Sequence, residues 1–266
     1  MVGKLFKYEF KYYLRWLIPI MSGCVVLALT SKLFYLVRDV QELYLITQMV
    51  YSTYTMLIGA AVVLGYVIVA LRFLKSTFTQ EAYFTHTIPV KPSTLLNVKF
   101  ASGALFMIVI IAGAVGSFIM MFTGSVFSTV TKGVADMISS AFRENALGNF
   151  ILGVFEVILL SLLVIFVEIL HPYAACAIGQ RMKSKTGGAI MWYFIIFAII
   201  RAGSTLFMIG NLSWISALES IEESGRVVPT VSPHLIMWIY ISVVLAVDLT
   251  FYFITRHRLK KKLNIT

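Results

Sequence analysis

The sequence predicts an all-α polytopic membrane protein: six transmembrane helices, both termini cytoplasmic, an N-terminal interfacial amphipathic helix, and a short cytoplasmic helix between spans 2 and 3. Three observations carry this reading. Hydrophobic residues make up 59% of the 266 and charged residues 13%, with a mean hydropathy of +0.90, a balance that would leave a soluble domain with an oily surface. The apolar residues fall in runs long enough to cross a hydrocarbon core of about 30 Å, which takes roughly 20 helical residues. Lys and Arg gather on one side of those runs, as insertion into a membrane requires.

Residues 1–15 come first. At helical spacing Lys4, Lys7, Lys11 and Arg15 share one arc of about 80°, while Phe6, Phe10, Tyr13 and Leu17 lie opposite. Such a helix is expected to lie in the headgroup plane, aromatic side down, either as a topology anchor or as a lever beneath the bundle. The spans follow at Trp16 to Leu36, Met49 to Leu74, Phe100 to Phe122, Phe150 to Ile178, Ala189 to Met208 and Leu235 to Thr255. None shows the roughly ten-residue alternation of barrel strands. All belong to one transmembrane domain, 1–266.

With the N-terminus inside, the inner segments collect Arg72, Lys75, Lys91, Lys99, Arg181, Lys183, Lys185, Arg256, Arg258 and Lys260 to Lys262, besides the four of the first helix. The outer loops mix Lys32, Arg38, Lys132, Arg143, Arg201 and Arg226 with Asp39, Glu42, Asp136, Glu144, Glu219, Glu222 and Glu223. The net charge of +10 thus lies along the inner membrane edge, where anionic lipid headgroups select it. Lipid is the implied partner, and nucleic acid is not. Two long outer loops, 123–148 and 210–233, exceed the usual structureless connection and are expected to hold short surface helices. In the second, Leu218 and Ile221 oppose Glu219, Glu222 and Glu223 before Gly225 and Pro229 end the helix.

Between spans 2 and 3, Phe78, Tyr83 and Phe84 alternate with Thr79, Gln80, Glu81 and His86 until Pro89 and Pro92 stop the pattern. This predicts a short amphipathic helix over 77–88, shaped to fit a groove on a partner; the plainer reading is an inner loop resting on the bilayer.

Ionisable residues within the spans are expensive in lipid and are expected to face the bundle interior, a partner or water. They are Glu156, Glu168 and Asp248, with His171 one helical turn from Glu168. The Glu168 and His171 pair is either a proton relay or a polar pair that fixes packing, the second being favoured. Glu156 and Glu168 lie about 18 Å apart along the helix axis, too far to share one small substrate. Pro172 should bend this long span. Ala101, Ser102, Gly103 and Ala104, then Ala112, Gly113, Ala114 and Gly116, give span 3 a small-residue face; Gly59, Ala60, Ala61 and Gly65 do so for span 2.

Other chemistries find little support. Cys24 and Cys176 lie inside spans and read as free thiols. Met21-Ser-Gly-Cys24 resembles a lipoprotein cleavage box, but only a handful of apolar residues precede it, fewer than a signal peptide needs. Glu222-Glu-Ser-Gly-Arg226 echoes a paired-Glu motif of membrane proteases, yet it sits in an outer loop. His86, His171, His234 and His257 form no His-Glu-x-x-His. Neither catalytic nor metal-binding residues are therefore assigned. Lys183-Ser-Lys-Thr-Gly-Gly188 lacks the spacing and the strand of a phosphate-binding loop.

Two stretches carry a resemblance. Phe78-Thr-Gln-Glu-Ala-Tyr-Phe-Thr-His-Thr-Ile-Pro-Val-Lys-Pro-Ser-Thr-Leu-Leu-Asn-Val-Lys99 and Tyr173-Ala-Ala-Cys-Ala-Ile-Gly-Gln-Arg-Met-Lys-Ser-Lys185 resemble segments of bacterial ATP-binding-cassette permeases of the type-2 exporter class. With six spans of matching spacing, the likeness covers nearly the whole chain. It implies a multi-pass protein of a bacterial plasma membrane that pairs with a second permease copy or paralogue. Two separate cytoplasmic cassette ATPases would grip a coupling helix bearing Thr79, Gln80, Glu81, Tyr83, Phe84 and His86. This chain would be no enzyme and would hold no cofactor, ATP and Mg²⁺ belonging to the partner; the cargo class is a peptide, drug or lipid-like molecule. Ala174, Ala175 and Cys176 depart from the family, which often has Ser there. The alternative is a proton-coupled secondary transporter built on Glu168, His171 and Asp248.

Overall fold

The computed structural model describes residues 2–36, 43–79, 82, 90–121, 125–143, 147–182, 184–223 and 233–261, the side chains of 35–36, 125–127, 211–223, 233 and 261 excepted. Among them are seven helices: α1 (Val2–Leu36), α2 (Tyr44–Phe78), α3 (Pro92–Met121), α4 (Ser125–Arg143), α5 (Leu147–Gly179), α6 (Lys185–Glu223) and α7 (Pro233–Lys261). All except α4 are long and apolar enough to cross a membrane, which makes six candidate spans in a multi-pass membrane protein.

The helix starts follow from local chemistry. Pro92 and Pro233 open α3 and α7 at the first helical position, where a missing N–H costs nothing. The Lys91 carbonyl accepts from the amides of Thr94 and Leu95. Ser184 caps α6, its Oγ accepting from the Gly187 amide at 3.1 Å. As expected for 123–148, a surface-type helix forms there: in α4, Val130, Val134, Met137 and Ile138 lie on one side and Lys132, Asp136 and Arg143 on the other. The second expected surface helix is instead the end of α6, which continues without a break to Glu223. Of Leu218, Ile221 and the Glu cluster only the helical backbone is described.

Two compact units are formed, Met1–Phe73 with Ile88–Val154 and Leu74–Thr87 with Phe155–Thr266. In the first, the pairings fix the directions of three helices. Glu9 meets Lys99, Tyr13 stacks on Phe106 with ring centroids 4.8 Å apart, and Ala28 packs with Met121. Both numbers rise together, so α1 and α3 run parallel. Arg72 meets Glu9, Gly65 faces Met107 and Ile110, and Tyr54 reaches Ser117. One number falls as the other rises, so α2 is antiparallel to both. Gly65 and Gly113 realise the expected small-residue contacts, against Met107 and Ile110 and against Met21; at Gly59 and Gly116 an added β-carbon would meet open space.

This ladder corrects one expectation. Residues 1–15 form no separate helix; from Val2 they are the first turns of α1, and Tyr13 on their aromatic side packs on Phe106 of α3. Tyr13 is 1% exposed, and Phe6 and Phe10 are half-buried with stacked rings 6.0 Å apart. Lys4, Lys7, Lys11 and Arg15 are exposed on the other side, as the pattern predicts.

The second unit is built on the C-terminal half of α5, where Ile169 through Ala177 are all buried. Ala174, Ala175 and Cys176, the departures from the family pattern, are packing positions here. The backbones of Gly179 and Gly188 touch where α5 turns into α6, so closely that a β-carbon on either would strike the other's main chain. Gly188 of the Lys-Ser-Lys-Thr-Gly-Gly stretch thus serves a helix crossing. Cys24 and Cys176 are both free and buried.

Candidate functional site

The densest polar arrangement is an ion cluster in the first unit. Lys99 Nζ donates to Glu9 Oε1 at 2.6 Å, and Arg72 Nε donates to Glu9 Oε2 at 3.0 Å. The side chains of Lys99 and Glu9 are 2% and 6% exposed and that of Arg72 20%. The Arg72 guanidinium also lies 4.4 Å from the centre of the Tyr12 ring, a cation–π contact on the open side of the cluster. Charges this far from water are tolerable only when paired and hydrogen-bonded. One carboxylate therefore fixes three helices at one level. In sequence, Arg72 lies before and Lys99 after the segment that joins α2 to α3.

Sequence reasoning passed over Glu9, although a signal was present. At helical spacing it falls on the side of Phe6, Phe10, Tyr13 and Leu17. An acid on that side cannot rest in lipid without great cost, so the side must face protein.

Of the segment itself little is described. Thr79 Oγ1 donates to the Lys75 carbonyl at 2.6 Å, and the Ala82 amide donates to the Thr79 carbonyl at 2.8 Å. Ser76, Thr77, Phe78 and Ala82 are buried. Gln80, Glu81, Tyr83, Phe84 and His86 lie outside the described residues.

The intramembrane polar residues separate into distinct environments. Glu156, 1% exposed, has Oε2 2.8 Å from His234 Nδ1, while no described group bonds its Oε1. That pairing joins α5 to the start of α7 and was not foreseen from sequence. His171 does not pair with Glu168. Its Nε2 lies 3.1 Å from the Tyr193 carbonyl, and its ring stacks on those of Tyr193 and Phe251 at 4.5 and 5.9 Å. The ring is thereby a packing element joining α5, α6 and α7. Asp248 is 5% exposed, and among the described residues neither of its oxygens has a hydrogen-bond partner.

A satisfied polar contact in the first unit completes the inventory: Tyr54 Oη donates to Ser117 Oγ at 3.2 Å, and Ser117 donates to the Ala114 carbonyl at 2.8 Å. Among the described residues no group of His, Cys, Asp and Glu is arranged to hold a metal ion. No protein-family model, curated protein or solved structure matches the chain.

Proposed function

We propose that this chain is the permease subunit of an ATP-driven exporter, with both termini cytoplasmic, working with separate cassette ATPases and a second permease copy or paralogue. The ATPases would grip the segment 77–88, and their closure on ATP would push it. The observation that supports this reading is the Glu9 clamp. Arg72 and Lys99, which precede and follow the segment in sequence, share one buried carboxylate on α1, so a push on the segment moves three helices together. Buried ion pairs suit such a role because they break only at a cost of several kcal/mol, about 3–5 for removing one partner. A peptide, drug or lipid-like molecule is the proposed cargo. The basic face of Lys4, Lys7, Lys11 and Arg15 stays exposed and would meet anionic headgroups on the cytoplasmic side.

The test is purification of the tagged protein in mild detergent, with mass spectrometry of what accompanies it. A cassette ATPase is expected with the parent and is expected to be lost from the Glu81→Lys, Phe84→Ala double variant. A protein recovered alone, even after gentle crosslinking, would overturn the reading.

A proton-coupled carrier keeps one supporting observation, the buried carboxylate of Asp248, which has no hydrogen-bond partner among the described residues. His171 no longer supports it, since Tyr193 engages that ring. Loss of pH-gradient-driven transport in Asp248→Asn, with an unchanged fold, would favour the carrier.

A further inference from the structure

Near its C-terminal end α7 lines a cleft of 820 Å³ together with the end of α5. The lining changes character along the helix. Phe253 and Ile254 make it apolar at one end of α7's stretch; Arg256, His257 and Lys260 make it basic at the other, and Ile178 of α5 adds an apolar side chain. Arg258 adds a further cation, and no acidic residue lines the cleft among those described. At 1.5 Å per residue, Phe253 and Lys260 are about 10 Å apart along the axis. That is comparable to the headgroup layer, roughly 5–7 Å on each side of a bilayer. The hydrophobic run read from the sequence ends at Thr255, between the two halves of the lining.

Two further features mark a site for a ligand. Arg256 Nε is closed off from solvent yet has no hydrogen-bond partner among the described residues. A guanidinium N–H without an acceptor calls for one, and the oxygens of a phosphate or a carboxylate match its fork geometry. Phe253, in contrast, is 55% exposed, an open aromatic face beside the cations.

We infer that this cleft binds an anionic phospholipid. The headgroup phosphate accepts hydrogen bonds from Arg256 and Lys260, and the first methylenes of an acyl chain lie on Phe253 and Ile254. Inorganic phosphate shares the headgroup chemistry but leaves the apolar half unused, so the lipid is the occupant that fits the whole lining. The site is independent of whether a motor drives the protein.

Native mass spectrometry of the full chain in a neutral detergent tests this. The probes are dioctanoyl phosphatidylglycerol, dioctanoyl phosphatidylcholine and inorganic phosphate. The parent is expected to retain phosphatidylglycerol in preference to phosphatidylcholine. The Arg256→Gln, Lys260→Gln double variant is expected to weaken that retention about 30-fold, at about five-fold per basic residue close to a charged surface. A Lys132→Gln, Arg143→Gln variant removes the same charge from α4 and should leave retention unchanged; Phe253→Ser should weaken it with every cation intact. Thermal unfolding of each variant separates loss of binding from loss of fold. Equal retention of the two lipids, an equal loss in the α4 variant, or displacement of the lipid by millimolar phosphate would each overturn the proposal. The last would show an adventitious anion site and no lipid site.

Discussion

Glu9 and Lys99 form a buried ion pair at 2.6 Å between two parallel helices, α1 and α3. Arg72 from the antiparallel α2 completes it at 3.0 Å. Residues that lie far apart in sequence are thus held by one carboxylate.

Removing that carboxylate should be the most damaging change in the first unit. Glu9→Met leaves Lys99 and Arg72 close together without their shared anion, and a loss of about 3–5 kcal/mol is expected. Pairing it with Lys99→Met should recover part of the loss, because it removes the more deeply buried of the two cations; Arg72, 20% exposed and over the Tyr12 ring, still lacks this carboxylate. Unfolding in detergent of the single and double variants measures both. A Glu9→Met protein as stable as the parent would show that the clamp carries no load.

The crossing of α5 and α6 is expected to tolerate no added atom. Gly188→Ala places a β-carbon against the backbone of Gly179, and overpacking of this kind costs about 1–3 kcal/mol. Gly203→Ala, where the added β-carbon would meet open space, should instead gain up to about 1 kcal/mol from helix propensity. The opposite signs of the two substitutions, read from unfolding curves, are the check.

His171 is expected to behave as a packing ring. His171→Phe keeps the stacks on Tyr193 and Phe251 and gives up only the bond to the Tyr193 carbonyl, so it should cost less than about 1.5 kcal/mol. His171→Ala opens a cavity and should cost about 2–5 kcal/mol. If the ring shuttled protons, both changes would abolish pH-gradient-driven transport alike; the packing role predicts that His171→Phe spares whatever transport the protein performs.

Ser184 supplies a helix cap that a short substitution series can isolate. Ser184→Ala removes the acceptor for the Gly187 amide and should destabilise by about 1 kcal/mol, whereas Ser184→Asp should retain most of the parent's stability. Equal losses in the two variants would mean that the cap contributes nothing.

Much of the fold is legible in the chain because lipid imposes simple rules. Six runs of apolar residues became six long helices, for a backbone inside hydrocarbon has to bond to itself. The helix α4 was legible more loosely, from the length of the loop 123–148 alone; its apolar and polar sides are a finding of the structure. Polar partners were harder to read. Glu156 was expected to face the bundle interior, a partner or water and is buried, but its pairing with His234 depends on how α5 and the start of α7 come together. Glu168 and His171 sit a turn apart on one helix, and local spacing suggested a pair. Packing against Tyr193 and Phe251 took the ring elsewhere.

The sequence by itself determined the class of the protein, the number and rough limits of its apolar helices, and the exposed basic side of the first one, because each depends on composition or on spacing within a single helix. Only the tertiary structure decided which neighbours those helices chose. Tyr13, on the aromatic side of residues 1–15, stacks on Phe106 of α3, Glu9 gathers Arg72 and Lys99, and Gly179 touches Gly188. Each of these depends on side chains or backbones from different helices arriving at the same level, and helical periodicity contains no information about that arrival.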